Sequence, residues 1–292
     1  MIAIDWGTSS FRAYRLAPDG MVLDRRSAPL GILAVKDGRF AEALESQIRD
    51  WLDTGERRVV MSGMIGSRQG WKEAPYAHCP AGLAEIATAM VRVDWDRGSA
   101  WIAPGLTCRD QSGIADVMRG EEVQILGALD ALAEGAAWIC LPGTHSKWAR
   151  VEGRRIMHFS TYMTGEVFAI MKAHSILGRM MTEAPFDVEA FDAGLLRARD
   201  DGGLLHHLFG VRTRGLFGDL TSERSASYLS GVLIGHELRS VPVQPGVVYV
   251  LGAQDLSQVY VHALRTQGYE PRLLNPDAVV TGLSHLAARL EK

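Results

Sequence analysis

The sequence predicts an α/β fold with material for two modest domains. Three observations point there. Residues 1–16 read as a strand, a glycine-and-hydroxyl turn and a second strand; the same succession recurs from Ala137 to Val151; and elsewhere short buried runs alternate with apolar residues at helical spacing. At 292 residues, 47% hydrophobic and 22% charged, the chain can bury more than one core.

In the first stretch Ile2 and Ile4 alternate with smaller or polar neighbours, Asp5-Trp6-Gly7-Thr8-Ser9-Ser10 supplies the turn, and Phe11 to Leu16 alternates again. A carboxylate ending a strand, followed by glycine and hydroxyl residues, can hold a hydrated Mg²⁺ while backbone N–H groups and hydroxyls face a phosphate. The same residues also suit an ordinary hairpin turn. Pro18-Asp19-Gly20 turns the chain into a third strand over Met21–Arg26. Phe40, Leu44, Ile48 and Trp51 then predict a helix, and Val59–Met61 a short buried strand. Ser62 to Tyr76 is a glycine-rich loop in which Gly63, Gly66 and Gly70 permit close backbone approach. Arg68 and Lys72 offer charge to an anion there, and Trp71 and Tyr76 can wall a pocket, although a plain surface loop has the same composition.

Ala100–Ala103 reads as a strand closed by Pro104-Gly105. Asp116-Val117-Met118-Arg119-Gly120-Glu121-Glu122 leads into a helix over Val123–Ala133, which places both glutamates in its first turn. The helix dipole favours carboxylates there by roughly 0.3–1 kcal/mol each, which accounts for them without chemistry. The alternative makes one a general base with Arg119 beside it for an anion. Ala137–Leu141 is a strand that runs into Pro142-Gly143-Thr144-His145-Ser146-Lys147-Trp148 and then Ala149-Arg150-Val151, a turn able to cradle phosphate although no Walker A pattern occurs. His145 has no second ligand at metal spacing, so it reads as a hydrogen-bonding residue.

Thr164 is placed to N-cap a helix carrying Val167, Ile170 and Met171, with Glu166 complementing its dipole. Met171, Met180 and Met181 read as core filler. From Thr182 to Glu223 the chain reads as helix and loop broken at Asp200-Asp201-Gly202-Gly203, with no task evident for His206 or His207. Ser225–Leu238 reads as a buried helix. Val247–Leu251 is the clearest buried strand; it ends in Gly252-Ala253-Gln254-Asp255 and a helix, a turn against which a nucleotide can lie. Arg272–Leu274 and Ala278–Leu290 read as a last strand and helix.

A net charge of −3 without long runs of one sign gives no electrostatic case for nucleic acid or anionic membrane. The apolar region Val123–Leu141 is interrupted by Asp130 and Glu134, so it is read as helix plus strand and not as a membrane span. No secretory signal is visible and the reading is cytoplasmic. Cys79, Cys108 and Cys140 are far apart in sequence, lack metal spacing, and read as incidental thiols of a reducing compartment. A small-molecule substrate is the default, and a homodimer the expectation, since two-fold assemblies are the commonest.

Two phosphate hairpins flanking a helix that opens Gly-Glu, followed by a late strand-Gly-Ala-helix, resemble the order of parts in the sugar kinase, Hsp70 and actin superfamily. Ile4–Arg12, Met64-Ile65-Gly66-Ser67 with Gly70-Trp71-Lys72, Val117–Glu122 and Pro142–Trp148 resemble blocks of the 2-keto-3-deoxygalactonate kinase family, across nearly the whole chain. The resemblance implies two ribonuclease-H-like domains with mixed sheets flanked by helices, divided as 1–133 and 134–292, with ligands in the cleft between.

It also implies ATP-dependent phosphorylation of the 6-hydroxyl of 2-dehydro-3-deoxy-D-galactonate in galactonate breakdown, with ATP and Mg²⁺ as cofactors. By that likeness Asp5 holds Mg²⁺ through water, Gly7, Thr8, Ser9 and Arg12 meet the β/γ-phosphates, and Gly143, Thr144 and Lys147 form the second phosphate turn, Lys147 with a catalytic role. Gly252 and Ala253 lie under the nucleotide. The base is a glutamate, Glu121 in preference to Glu122, which falls nearer the Leu126 and Leu129 side. Gly66, Ser67, Arg68, Trp71, Lys72, Arg119 and Glu122 line the acid-sugar site. The rivals are a kinase for another acid sugar or a hexose and, from a different class, an actin- or Hsp70-like ATPase without a metabolite acceptor.

Overall fold

The N-terminal hairpin forms because Ile2, Ile4, Trp6, Phe11 and Ala13 all find one apolar interior, where each is wholly buried. The computed structural model describes residues 1–290. In chain order it contains strands β1 (Ile2–Trp6), β2 (Phe11–Leu16) and β3 (Val22–Ala28), helix α1 (Phe40–Asp53), and strands β4 (Arg58–Ser62) and β5 (Tyr76–His78). Helix α2 (Leu83–Thr88), strands β6 (Val91–Trp95), β7 (Gly98–Ile102), β8 (Gly105–Arg109) and β9 (Ala115–Met118) and helix α3 (Glu121–Ala128) follow. Next come strands β10 (Ala137–Leu141), β11 (Ser146–Glu152) and β12 (Arg155–Tyr162) and helices α4 (Thr164–His174), α5 (Val188–Arg197), α6 (Gly203–Leu216) and α7 (Ser225–Ser240). The chain closes with β13 (Val247–Val250), α8 (Gln254–Thr266), β14 (Glu270–Leu273) and α9 (Ala278–Ala287).

The chain separates into two compact units, one of Met1–Ala137, Ala149–Phe159 and the residues from Leu274 onward, the other of Trp138–Trp148 and Ser160–Leu273. In the first, a six-stranded sheet runs β3-β2-β1-β4-β7-β6, with β1 antiparallel to β2 and parallel to β4. A second sheet of the chain runs β12-β11-β10-β13-β14, with β10, β13 and β14 parallel. Three strands in hairpin order followed by parallel strands on the far side of the first is the mixed, ribonuclease-H-like arrangement; it occurs twice, the first sheet adding an antiparallel edge strand, β6.

Trp6 anchors the first core: its ring meets Phe11 edge-on at 4.9 Å and Phe40 at 5.9 Å, and its indole N–H donates to the Leu30 carbonyl at 2.7 Å. In the second unit α7 is buried along most of its length, which accounts for its weak amphipathic pattern.

Several boundaries differ from expectation. The helix expected over Val123–Ala133 is α at 121–128 and tightens to a 3₁₀ turn at Leu129–Ala131. Thr164 is not an N-cap: Met163 holds that position, and Thr164 is the first helical residue because a buried glutamate takes its hydroxyl. The small sheet β5-β8-β9, the strand β6 and the helix α2 have no counterpart in the sequence reading. That small sheet also brings together two cysteines read as unrelated. Its parallel ladder continues past His78↔Thr107 through a Cys79 N–H to Thr107 carbonyl bond of 2.9 Å, so Cys79 faces Cys108.

Helix α3 is seated by α9. A Cβ at Gly127 would stand 1.8 Å from the Ala278 carbonyl oxygen, and one at Gly282 would stand 2.1 Å from that of Val123, so the two backbones touch. Gly127→Ala therefore forces the helices apart and is expected to cost about 1–3 kcal/mol. A urea transition with a lower midpoint and unchanged slope would agree; a midpoint equal to the parent's would contradict this packing.

Candidate active site

Asp5 sits in β1 with Arg12 opposite on β2 and Ser62 opposite on β4. Its side chain is 9% exposed and one oxygen lies 2.6 Å from the Arg12 guanidinium. Burial raises its pKa above the ordinary carboxylate value, Arg12 works against that, and the charge of Glu121 adds to it. Glu121 is brought within reach by two glycines with left-handed backbone, Gly63 at φ +93° and Gly120 at φ +109°. A Cβ on Gly63 would lie 2.7 Å from the Trp6 carbonyl oxygen and 3.3 Å from Asp5 Oδ1, and a Cβ on Gly120 would lie 3.2 Å from Gly63 Cα. The end of β1, the loop after β4 and the start of α3 thus touch through bare backbone.

The two glutamates at that helix start are not equivalent. Glu122 is wholly buried, both of its oxygens accept from the Gly120 N–H at 2.9 and 2.7 Å, and burial together with the Glu121 charge pushes its pKa up to about 8. Glu121 is half-buried and accepts from the Arg119 N–H at 3.0 Å. Glu121 is therefore the member with access to a ligand, and Glu122 holds the turn. In the turn between β1 and β2 Gly7 donates to the Ser10 carbonyl at 2.9 Å, while Thr8 and Ser9 are exposed at its tip.

Arg119, at the end of β9, is held in a slot built by the glycine-rich loop. Its guanidinium lies over the Tyr76 ring at 4.4 Å and Nη2 donates to the Ala74 carbonyl at 2.8 Å. A Cβ on Gly66 would come to 3.0 Å of Nη1, so only glycine leaves room. Nε and Nη1 are buried with no hydrogen-bond partner among the described residues, as are the hydroxyls of Ser62 and Ser67. The other expected cations point elsewhere: Arg68 is exposed and pairs with Glu73 at 3.0 Å, and Lys72 donates to the Arg92 carbonyl at 2.8 Å. Trp71 packs on Trp95, with ring centroids 5.7 Å apart, against the core. A planar guanidinium with buried donors to fill matches a carboxylate.

In the second unit Lys147 is buried and its ammonium donates to the His145 carbonyl at 3.0 Å. His145 hydrogen-bonds Glu166, whose N–H donates to the Thr144 carbonyl at 2.9 Å. A Cβ on Gly165 would lie 2.4 Å from the Gly143 carbonyl oxygen, so α4 begins flush against the Gly143-Thr144 turn. Beneath it Glu237 accepts from the Trp148 indole at 2.8 Å, the Tyr260 hydroxyl at 2.7 Å and the Thr164 hydroxyl, and Tyr260 also hydrogen-bonds Ser146 at 2.8 Å. Burial raises the Glu237 pKa and these hydrogen bonds oppose it. Gly252 closes β13 within reach of Pro142, and Ala253 N-caps α8. The buried Ser257 hydroxyl, 3.4 Å from where a Gly252 Cβ would be, has no partner among the described residues. Glu237, Tyr260 and Ser257 escaped the sequence reading; the one signal was an acid in the interior of an otherwise buried helix.

Because folding raises the Glu122 pKa, the native state binds more protons than the unfolded chain between the ordinary value of 4.5 and about 8. The contribution of this group to stability is complete below that window and is lost as pH rises through it. Glu122→Gln keeps an acceptor for Gly120 and removes the titration. The stability of the parent relative to the variant is expected to fall from pH 5 to pH 8 by up to about 1.4 kcal/mol per pH unit. Urea unfolding at both pH values checks this, and a constant difference would contradict the burial of an ionisable Glu122.

The chain is 41% identical over 297 residues to a probable 2-dehydro-3-deoxygalactonokinase of Rhizobium meliloti, covering 98% of this chain and 95% of the relative. It is 34% identical over 295 residues to the 2-dehydro-3-deoxygalactonokinase of Escherichia coli, covering 98% of each. A crystal structure from Sinorhizobium meliloti, of the same designation as the first relative, superposes with a TM-score of 0.89 at 36% identity, covering 99% of this chain and 98% of that one. The model of the 2-keto-3-deoxy-galactonokinase family matches residues 5–286, and the chain belongs to that family.

Proposed function

We propose that the protein transfers the γ-phosphoryl group of ATP to the 6-hydroxyl of 2-dehydro-3-deoxy-D-galactonate, a cytoplasmic step of galactonate breakdown. The observation that carries this reading is Arg119, a guanidinium with buried donors to fill, separated from Glu121 by one residue. Arg119 takes the acceptor's carboxylate; Ser62 and Ser67 offer hydroxyls to its polar groups. Glu121 accepts the proton of the 6-hydroxyl as that oxygen bonds to phosphorus, the bond from phosphorus to the bridging oxygen breaks, and ADP leaves with the electron pair. Glu122 fixes the turn and does not touch sugar. Gly7, Thr8, Ser9 and Arg12 serve phosphate, as do Gly143, Thr144 and Lys147, and Gly252 with Ala253 serves the nucleoside.

For Mg²⁺ the available donor is Asp5, a single buried carboxylate; among the described residues no group of three or more His, Cys, Asp or Glu could ligate a metal. That donor set fits an ion that keeps most of its water and binds phosphate oxygens, and when bound it supplies charge neutralisation of the phosphates. Positioning and electrostatics account for most of the expected rate, as phosphoryl transfer asks for little covalent work.

ADP release from MgATP is expected to rise with 2-dehydro-3-deoxy-D-galactonate, less with its gluconate epimer, and not with a neutral hexose. Steady release unaffected by any of them would favour an ATPase without a metabolite acceptor. With the active acceptor, Glu121→Gln is expected to lower kcat by about 10²–10⁴ with little change in KM. A near-parental rate would move the base to another residue.

A further inference from the structure

The small sheet that carries the Tyr76–Arg119 pair also carries two thiols in register. The β5–β8 ladder pairs Tyr76 with Gly105, Ala77 with Leu106 and His78 with Thr107, and the Cys79 N–H to Thr107 carbonyl bond of 2.9 Å carries it one step further, to Cys79 and Cys108. Residues directly opposite one another in a ladder project from the same face, on strands about 4.8 Å apart, inside the Cα separation that a disulfide spans. The Cys108 S–H donates to the Phe159 carbonyl at 3.2 Å, and each thiol is the largest influence on the other's pKa, which is raised at Cys79 and lowered at Cys108. Cys79 is half-buried and reachable by a small reagent, Cys108 lies just beneath, and Cys140, in the other unit, is wholly buried.

We propose that Cys79 and Cys108 form a modification site: a dithiol that a low-molecular-weight disulfide oxidises to an intramolecular disulfide, with loss of affinity for the acceptor. One thiolate of the pair attacks one sulfur of the reagent and expels a thiolate, leaving a mixed disulfide on the protein. The other protein thiolate then attacks the protein sulfur of that mixed disulfide and expels the second thiolate. The two protein protons pass to the two released thiolates, the protein loses two electrons and the reagent gains them. A disulfide needs its Cβ atoms about 3.8 Å apart, closer than strand spacing provides, so closing it draws β5 onto β8. Strain of that kind makes a disulfide readily reducible, which suits a reversible device.

The consequence for the site follows from the register. Tyr76 begins the strand that Cys79 ends, and its ring already fills the space beside Gly105, where a Cβ would stand 2.6 Å from it. Cys108 on β8 faces Asp116 on β9, the strand that leads to Arg119. Pulling β5 toward β8 therefore moves the ring off the Arg119 guanidinium. This second part rests on Arg119 as the acceptor's anchor; the linkage itself does not.

Full-length protein treated with oxidised glutathione and then alkylated in denaturant is expected to retain one alkylatable cysteine, to lose about 2 Da before alkylation, and to yield a peptide joining residues 79 and 108. Dithiothreitol is expected to restore all three thiols. KM for the acid sugar is expected to rise about fivefold or more on oxidation, with kcat much less affected, and Cys79→Ser is expected to be insensitive. Three alkylatable cysteines after treatment, or glutathione held on a single cysteine, would overturn the site. A linked protein with parental KM would overturn its effect on the acceptor. The mass readout needs no activity, so it stands even for a preparation that phosphorylates nothing.

Discussion

The contact between Gly63 and Gly120 is the constraint on which the first unit's site depends. Both residues have left-handed backbone, and a side chain on either would meet neighbouring backbone. Without that contact the start of α3 cannot approach the end of β1, and Asp5 and Glu121 would be unrelated carboxylates on separate elements. With it, the charge of Glu121 raises the cost of ionising Asp5, which burial reinforces and Arg12 relieves. Gly127 and Gly282 then hold α3 against α9 from behind. Two backbone-to-backbone contacts thus fix the helix that carries Glu121.

The same helix start explains why two adjacent glutamates divide their work. Glu122 turns inward and spends its carboxylate on the Gly120 N–H, while Glu121 stays half-buried beside Arg119. The second unit solves a comparable problem with side chains: Glu237 gathers Trp148, Tyr260 and Thr164 from three elements beneath the Gly143-Thr144 turn. A buried carboxylate is costly unless its lone pairs are filled, and here donors converge on it. The arrangement favours one geometry of the turn, since each donor would be orphaned by a shift.

How much of this was legible in the sequence depended on how local each feature was. The N-terminal hairpin, the strand before Gly252 and the break near Gly202 could be read because alternation, turn chemistry and glycine act over a few residues. That Glu122 turns inward was also readable, from the side of the helix on which Leu126 and Leu129 fall. The slot around Arg119 was not, because it depends on a sheet whose first strand is only Tyr76–His78, too short to show a period. Thr164 looked like a cap because its competitor, Glu237, lies far along the chain on α7. The meeting of Cys79 and Cys108 was hidden for the same reason: their spacing carries no motif, and only the β5–β8 register joins them.

Acceptor recognition turns on one group above others, the Arg119 guanidinium as the reader of a carboxylate. The most direct test compares kcat/KM for the acid sugar and for its C1 amide, in the parent and in Arg119→Met. The parent is expected to prefer the acid by about tenfold or more, the scale of a charge-assisted hydrogen-bonded pair, and the variant to lose most of this preference. A variant that still prefers the acid to the same degree would contradict it and leave the carboxylate to another residue.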